Sequence, residues 1–185
     1  MIKIGIIGSA GGKGEKFTKE LFDKMCKKGN ELIKGIKEVN KVVGTTTDIT
    51  LMSGGAAWSD HVAINIGSEY KSVEIYFPCG FDVKENKHED NGKWDWKENP
   101  GRLSNSLHEQ FGKELGRNTQ EDFGKLKNII MYKGNGFHHR NTYVAACHYL
   151  IAFTFSESMD GYKGGTADTW KKCKGIKLHV NLNKL

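Results

Sequence analysis

Three times this chain passes from a short apolar run through a glycine-rich turn into an amphipathic stretch. Met1 to Ile7 ends in Gly8-Ser9-Ala10-Gly11-Gly12-Lys13-Gly14, Asp48 to Met52 ends in Ser53-Gly54-Gly55-Ala56, and Tyr149 to Phe155 is followed by Gly164-Gly165-Thr166. Apolar runs that do not alternate are buried on both faces, as the strands of a parallel sheet are. Parallel neighbours need a crossover between them, usually a helix. With Val73 to Phe77 and Lys177 to Leu182, the repeated grammar predicts a single open Rossmann-like α/β domain, with a mainly parallel sheet of about five strands and helices on both faces. At 185 residues the chain supports one well-buried domain, 1–185, and is short for two.

The crossovers can be placed by their period. Phe17, Leu21, Met25, Leu32, Ile33 and Ile36 lie at helical spacing, with Gly29 a break that would divide the stretch in two. His61 to Ile66 carries the apolar residues of a second helix, while Arg140 to His148 and Thr166 to Lys174 flank the later strands. Leu103, Leu107, Phe111 and Leu115 form a narrow stripe, which predicts a helix packed on the core. Thr119 followed by Asp122 resembles a capping box and predicts another helix running to about Met131. From about 82 to 130 the chain leaves the βα grammar. Residues 82 to 101 are polar and carry Trp94 and Trp96, the composition of an insertion or lid.

Hydrophobic residues are only 37% of the chain, but they come in compact runs, so a folded core is expected and disorder is not. The net charge of +6 suits an anionic partner, although lysines scattered along the chain are first of all a solvated surface. The four cysteines form no C-x-x-C pair, so neither a zinc site nor a redox motif is signalled, and Cys147 and Cys173 read as small core residues. No histidine or carboxylate cluster has metal-ligand spacing, and neither metal nor cofactor is expected. No run approaches the length of a bilayer span and no leader pattern opens the chain, which leads to the expectation of a cytoplasmic protein with no membrane partner.

In a sheet of this kind the ligand lies at the carboxyl ends of the strands. Gly8, Ser9, Gly11 and Gly12 form the first loop there, although it is neither G-x-G-x-x-G nor a P-loop, since Gly12-Lys13 is followed by Gly14. Ser53, Gly54, Gly55 and Ala56 form the second, with Ser53 as an anion donor; Gly164, Gly165 and Thr166 open a helix N-terminus, where free N–H groups and the macrodipole favour an anion. Arg140 supplies a bidentate fork for phosphate or carboxylate, with the Asn141 amide beside it. Asp60 and Asp168 are candidates for ribose hydroxyls or general acid–base work, and equally for caps and dipole partners. His138 and His139 adjoin the arginine, and only one of two adjacent histidines can face a ligand.

Ser53-Gly54-Gly55-Ala56 with Asp60, Phe137-His138-His139-Arg140-Asn141, and Gly164-Gly165-Thr166 with Asp168-Thr169 together resemble motifs of the SLOG superfamily. That superfamily joins the Smf/DprA DNA-processing proteins and the Lonely Guy phosphoribohydrolases. The resemblance spans most of the chain outside 82 to 130 and implies a Rossmann-like fold holding a nucleotide or nucleotide-derived ligand, with Thr169 among the binding residues. It leaves three roles open: a sensor or sequestering protein, an N-glycosidic hydrolase or transferase on nucleoside monophosphates, and, as the alternative, a single-stranded nucleic-acid binder of DNA-processing type. Trp94 and Trp96 would be stacking platforms for the last. In the phosphoribohydrolase branch a catalytic glutamate occupies the place of Thr169; Asp168 is the carboxylate one position earlier, and one helical step turns a side chain by about 100°. Members of the superfamily often dimerise, so a homodimer or higher oligomer is a further expectation.

Overall fold

The structure is a computed structural model that describes every residue except Lys13. Its strands are β1 (Ile2–Gly8), β2 (Ile49–Ser53), β3 (Ser72–Phe77), a short pair β4 (Phe81–Asp82) and β5 (Lys87–His88), β6 (Ile129–Lys133), β7 (Tyr149–Thr154) and β8 (Ile176–Asn181). Six of them form one sheet in the order β6-β3-β2-β1-β7-β8, and every neighbouring pair is parallel. The β4–β5 pair is a separate antiparallel hairpin. This is the expected Rossmann-like α/β domain with one strand more than the sequence suggests.

Every residue of β2 and all but the first of β7 are buried, because both sheet faces are covered. On one face lie α1 (Lys19–Val42), α2 (Val62–Asn65), α3 (Pro100–Leu115) and α4 (Asp122–Lys125), which join the sheet in a large cluster around Phe22, Met25, Phe111, Phe123 and Phe153. On the other lie α5 (Gly136–Val144) and α6 (Gly165–Lys172), with a smaller cluster of Ile7, Met52, Val144, Leu150 and Ala152. Cys147 and Cys173 belong to that cluster, buried with their sulfurs 3.8 Å apart. Among the described residues no helix is long and apolar enough to cross a membrane.

Three sequence expectations change. Gly29 does not divide α1, which runs unbroken for 24 residues; it is buried where α1 meets α2, and a Cβ there would come within 3.2 Å of Val62 Cγ1. The predicted helix from Thr119 to Met131 stops at Lys125, and Ile129–Lys133 becomes the sixth strand, pairing with β3 from Val73↔Ile129 to Phe77↔Lys133. The open edge of β3 offers backbone partners to a run of isoleucines and a tyrosine, which suit a pleated surface better than a helix. Thr119 is no N-cap; its hydroxyl meets His108 Nδ1 at 2.9 Å. Finally, the α3 stripe enters the core in part: Phe111 is fully buried and Leu107 and Leu115 pack against the main cluster, whereas Leu103 is exposed, and Leu103 and Leu107 also border the cleft described below.

The 82–128 segment is joined to the sheet domain through imidazoles. His108 Nε2 bonds the carbonyl of Gly55 at 3.0 Å, and His61 Nε2 donates to Asp122 Oδ2 at 2.9 Å. Ring centroids run from His61 to His108 at 5.6 Å and from His108 to His88 at 6.2 Å. Burial, then the charge of Arg140, pushes His88 down from 6.5 to about 3. Burial, then the neighbouring His61, takes His108 to about 3 as well. Both are neutral in the fold and protonate in the unfolded chain below pH 6.5, so stability is intact above that value and lost as pH falls from 6.5 toward 3. Each contributes a slope of up to about 1.4 kcal/mol per pH unit. Urea unfolding between pH 7 and pH 4 should show this loss. His88→Phe should flatten it by one proton's share, since among the described residues His88 Nε2 has no partner and Nδ1 has only a 3.9 Å contact with Cys79 Sγ to forfeit.

Candidate functional site

The chain steps outward from β1 through β2 and β3 to β6, then crosses back to place β7 and β8 on the other side of β1. The connections before β6 thus lie on one face of the sheet and those after it on the other, and a crevice opens between β1 and β7 at their carboxyl ends. A cleft of about 540 Å³ lies there, within the range of small-molecule sites, roughly 300 to 1,000 Å³.

The floor is made by two loops and one buried carboxylate. The turn that brings Asp60 back toward β2 is made at Trp58, whose φ of 58° is uncommon for a bulky residue. Its indole is anchored on Phe17 at 4.6 Å and on Phe111 at 4.3 Å. Asp60 is then 4% exposed, and its Oδ2 accepts the Gly54 N–H at 3.1 Å, with the N–H groups of Ala56 and Gly8 also turned to the carboxylate. Burial pushes its pKa up, and the Arg140 charge pulls it back.

Arg140 comes from α5 and lies across the β2 loop. Its Nη1 donates to Gly54 O at 2.9 Å and its Nε to Asn141 Oδ1 at 3.3 Å. Among the described residues it makes no ion pair, and Nη2 has no partner. Position 54 has to be glycine for this, because a Cβ there would meet the guanidinium carbon at 2.5 Å. Burial lowers the Arg140 pKa and Asp60 raises it, yet a guanidinium starting from 12.5 keeps its charge at neutral pH. Asn141, buried, ties α5 to α6 by donating to Gly165 O at 3.2 Å and to Asp168 Oδ2 at 3.1 Å.

The opposite rim is the start of α6, where Gly164, at φ 92°, supplies no side-chain cap. By contrast, the N-termini of α1 and α3 carry side-chain caps from Thr18 and Asn99. The Thr166 hydroxyl donates to Gly8 O at 2.8 Å and fixes this uncapped end against the first loop. The first N–H groups of α6 therefore border the cleft as a partial positive charge.

Most residues singled out in the sequence meet here: Gly8, Ser9 and Gly12; Gly54, Ala56 and Asp60; Arg140 and Asn141; Gly164, Gly165, Thr166 and Thr169 all line the cleft. Four do not. Gly11 backs onto the Trp58 indole, and Gly55, at φ 65°, backs onto the Phe77 ring. Ser53 is fully buried and its hydroxyl is spent inside the loop, donating to Asp60 O at 2.8 Å and accepting from Gly55 N at 3.1 Å, so it braces the turn and is no anion donor. Asp168 does not line the cleft; its Oδ2 lies behind two lining residues, accepting from Asn141 Nδ2 at 3.1 Å and meeting His138 Nδ1 at 3.4 Å, and it also accepts from Lys172 Nζ at 2.8 Å. Burial works against its charge, but the bonds from Lys172, Asn141 and His138 hold its pKa low. Thr169, one step on, faces the cleft, as the helical rotation requires.

The sequence reading missed Glu15, Tyr162 and Lys163 as lining residues. The available signal was position alone: Glu15 lies four residues after Gly11, whose N–H it accepts at 3.3 Å, and Tyr162 and Lys163 precede Gly164 directly. Of the two tryptophans of the inserted segment, Trp96 lines the cleft. Trp94 carries the Arg102 guanidinium on its ring at 3.6 Å, so the two do not form one platform.

An uncharacterized protein of Acanthamoeba polyphaga mimivirus is 34% identical to this chain over 193 aligned positions, covering 98% of the chain and 97% of the viral protein. No protein-family model and no solved structure matches the chain.

The placement of Arg140 over Gly54 can be tested by a double-mutant cycle. Gly54→Ala should cost about 1 to 3 kcal/mol, the cost of overpacking, because the guanidinium must move. On an Arg140→Ala background the same substitution should cost almost nothing. Denaturant midpoints of the four proteins give the coupling directly.

Proposed function

We propose that this chain, which belongs to the same family as the mimivirus protein, binds a nucleotide or nucleotide-derived metabolite in the cleft at the β1–β7 switch point. The observation that carries the reading is the setting of Arg140: a charged fork held in place by Gly54 and Asn141, with Nη2 left unpaired beside the uncapped start of α6. A guanidinium with a fixed orientation and a helix N-terminus facing one space suit a phosphate. The three motifs that resemble the SLOG superfamily all contribute lining residues to this cleft, which supports extending that resemblance's class of ligand to this chain.

Retention of a ligand is better supported than hydrolysis of an N-glycosidic bond. Asp168, the carboxylate nearest the place of the glutamate in the phosphoribohydrolase branch, does not line the cleft and is engaged by Lys172, Asn141 and His138. Asp60 does line the cleft, but backbone N–H groups already occupy its carboxylate. The role favoured is therefore a sensor or sequestering protein. A small ligand is also favoured over a single strand, since Trp96 lines the cleft whereas Trp94, 84% exposed with Arg102 on its ring, lies outside it.

Calorimetric titration with a panel of nucleoside monophosphates tests the reading. Arg140→Lys keeps the charge and loses the fork, a change of about 1.5 to 3 kcal/mol for a charge-assisted contact, so affinity should fall roughly ten- to a hundred-fold. The melting temperature should stay close to that of the parent, and no free base should appear on incubation. Undiminished affinity combined with a melting temperature several degrees lower would make Arg140 a structural strut and sink the assignment.

A further inference from the structure

The cleft has a second, apolar end that the phosphate reading does not use. Its wall comes from two separate elements: Trp96, Leu103 and Leu107 from the inserted segment, and Phe137 from the first turn of α5. Trp96 and Leu103 are 44% and 37% exposed. The Trp96 and Phe137 centroids are 6.0 Å apart with their planes at 50°, so the rings do not stack on each other but form an open wedge. Phe137 also ties this wedge to the polar end, because the Arg140 guanidinium carbon is 5.2 Å from its ring centroid.

From this geometry we infer that the inserted segment supplies an aromatic subsite, with Trp96 and Phe137 stacking the planar base of a nucleoside monophosphate whose phosphate lies at Arg140. The inference rests on the proposed function and specifies its ligand class. A base is preferred to an alkyl chain for two reasons. Trp96 and Phe137 both border the cleft with their planes inclined at 50°, and among the described residues each has a cation on one side only, Lys97 Nζ at 5.7 Å and the Arg140 guanidinium at 5.2 Å, a geometry that suits a third ring in offset or edge-on contact. The Arg140–Phe137–Trp96 sequence also places a fixed cation and an aromatic surface a few ångströms apart, which is how the anion and the ring are arranged in a nucleotide. The subsite further explains why Leu103 is left 37% exposed at the cleft while Phe111, on the same stripe of α3, is fully buried in the core.

The test uses the full chain and four ligands: adenosine monophosphate, ribose 5-phosphate, hexyl phosphate and inorganic phosphate, titrated into the parent, Trp96→Ala and Phe137→Leu. Trp96 is half exposed, so its removal should leave the fold intact, which the melting temperature checks. Adenosine monophosphate should bind the parent at least tenfold more tightly than ribose 5-phosphate. Trp96→Ala should erase about tenfold of that preference, the size of one base–aromatic stack, while the affinity for ribose 5-phosphate stays unchanged. Phe137→Leu should act in the same direction. Equal affinities for adenosine monophosphate and ribose 5-phosphate would overturn the subsite and leave the phosphate site standing. A gain for hexyl phosphate as large as that for the nucleotide would also overturn it, reducing the wall to generic apolar surface. If none of the four ligands binds, the proposed function falls and takes the subsite with it.

Discussion

The contact on which the cleft depends is the guanidinium of Arg140 lying on the backbone of Gly54. It joins an element of one sheet face, α5, to the loop after β2, and it is allowed only because residue 54 has no Cβ. Asn141 extends the join to α6, and Thr166 extends it from α6 to the end of β1. Three loops that are remote in sequence are thereby held in one frame. Asp60 lies under the same frame, where burial alone would favour its neutral form and the nearby cation and N–H groups favour the ionised one. The two charged groups are close enough to influence each other without forming an ion pair, which leaves the arginine available to a ligand. A direct bridge between them would satisfy both and empty the cleft of its charge.

The inserted segment is not a loose appendage to this frame. Phe111 and Phe123 are fully buried in the main core, and His108 bonds the carbonyl of Gly55, one residue beyond the glycine that carries Arg140. The use of histidine there has a physical logic: a neutral imidazole fills space as an aromatic ring does while satisfying a backbone carbonyl that would otherwise be buried without a partner. The orphaned Nδ1 of His61 is consistent with this tautomer, since a bare lone pair remains when Nε2 carries the proton to Asp122. The same segment then presents Trp96 to the cleft, so the elements that complete the core also shape the apolar end of the site.

What the sequence determined by itself was whatever depends on local pattern. Continuous apolar runs followed by glycine turns can be buried only as parallel strands with crossovers, and so the βα series, the location of the cleft at the strand ends and the identity of Arg140, Asn141, Asp60 and the Gly164–Thr166 turn were all legible. The rotation between Asp168 and Thr169 was legible too, because it follows from helical geometry. Tertiary structure decided whatever depends on which partner is nearby. Ile129–Lys133 became a strand because β3 had an open edge; Gly29 stayed helical because α2 packs against it; Ser53 turned inward because Asp60 and Gly55 offered bonds; and Trp94 and Trp96 parted, one beneath Arg102 and the other beside Phe137 at the cleft. Period and propensity fix how a side chain is directed from its own backbone, but contacts between segments distant in sequence carry no local signature, and the fold alone sets which of two available partners wins.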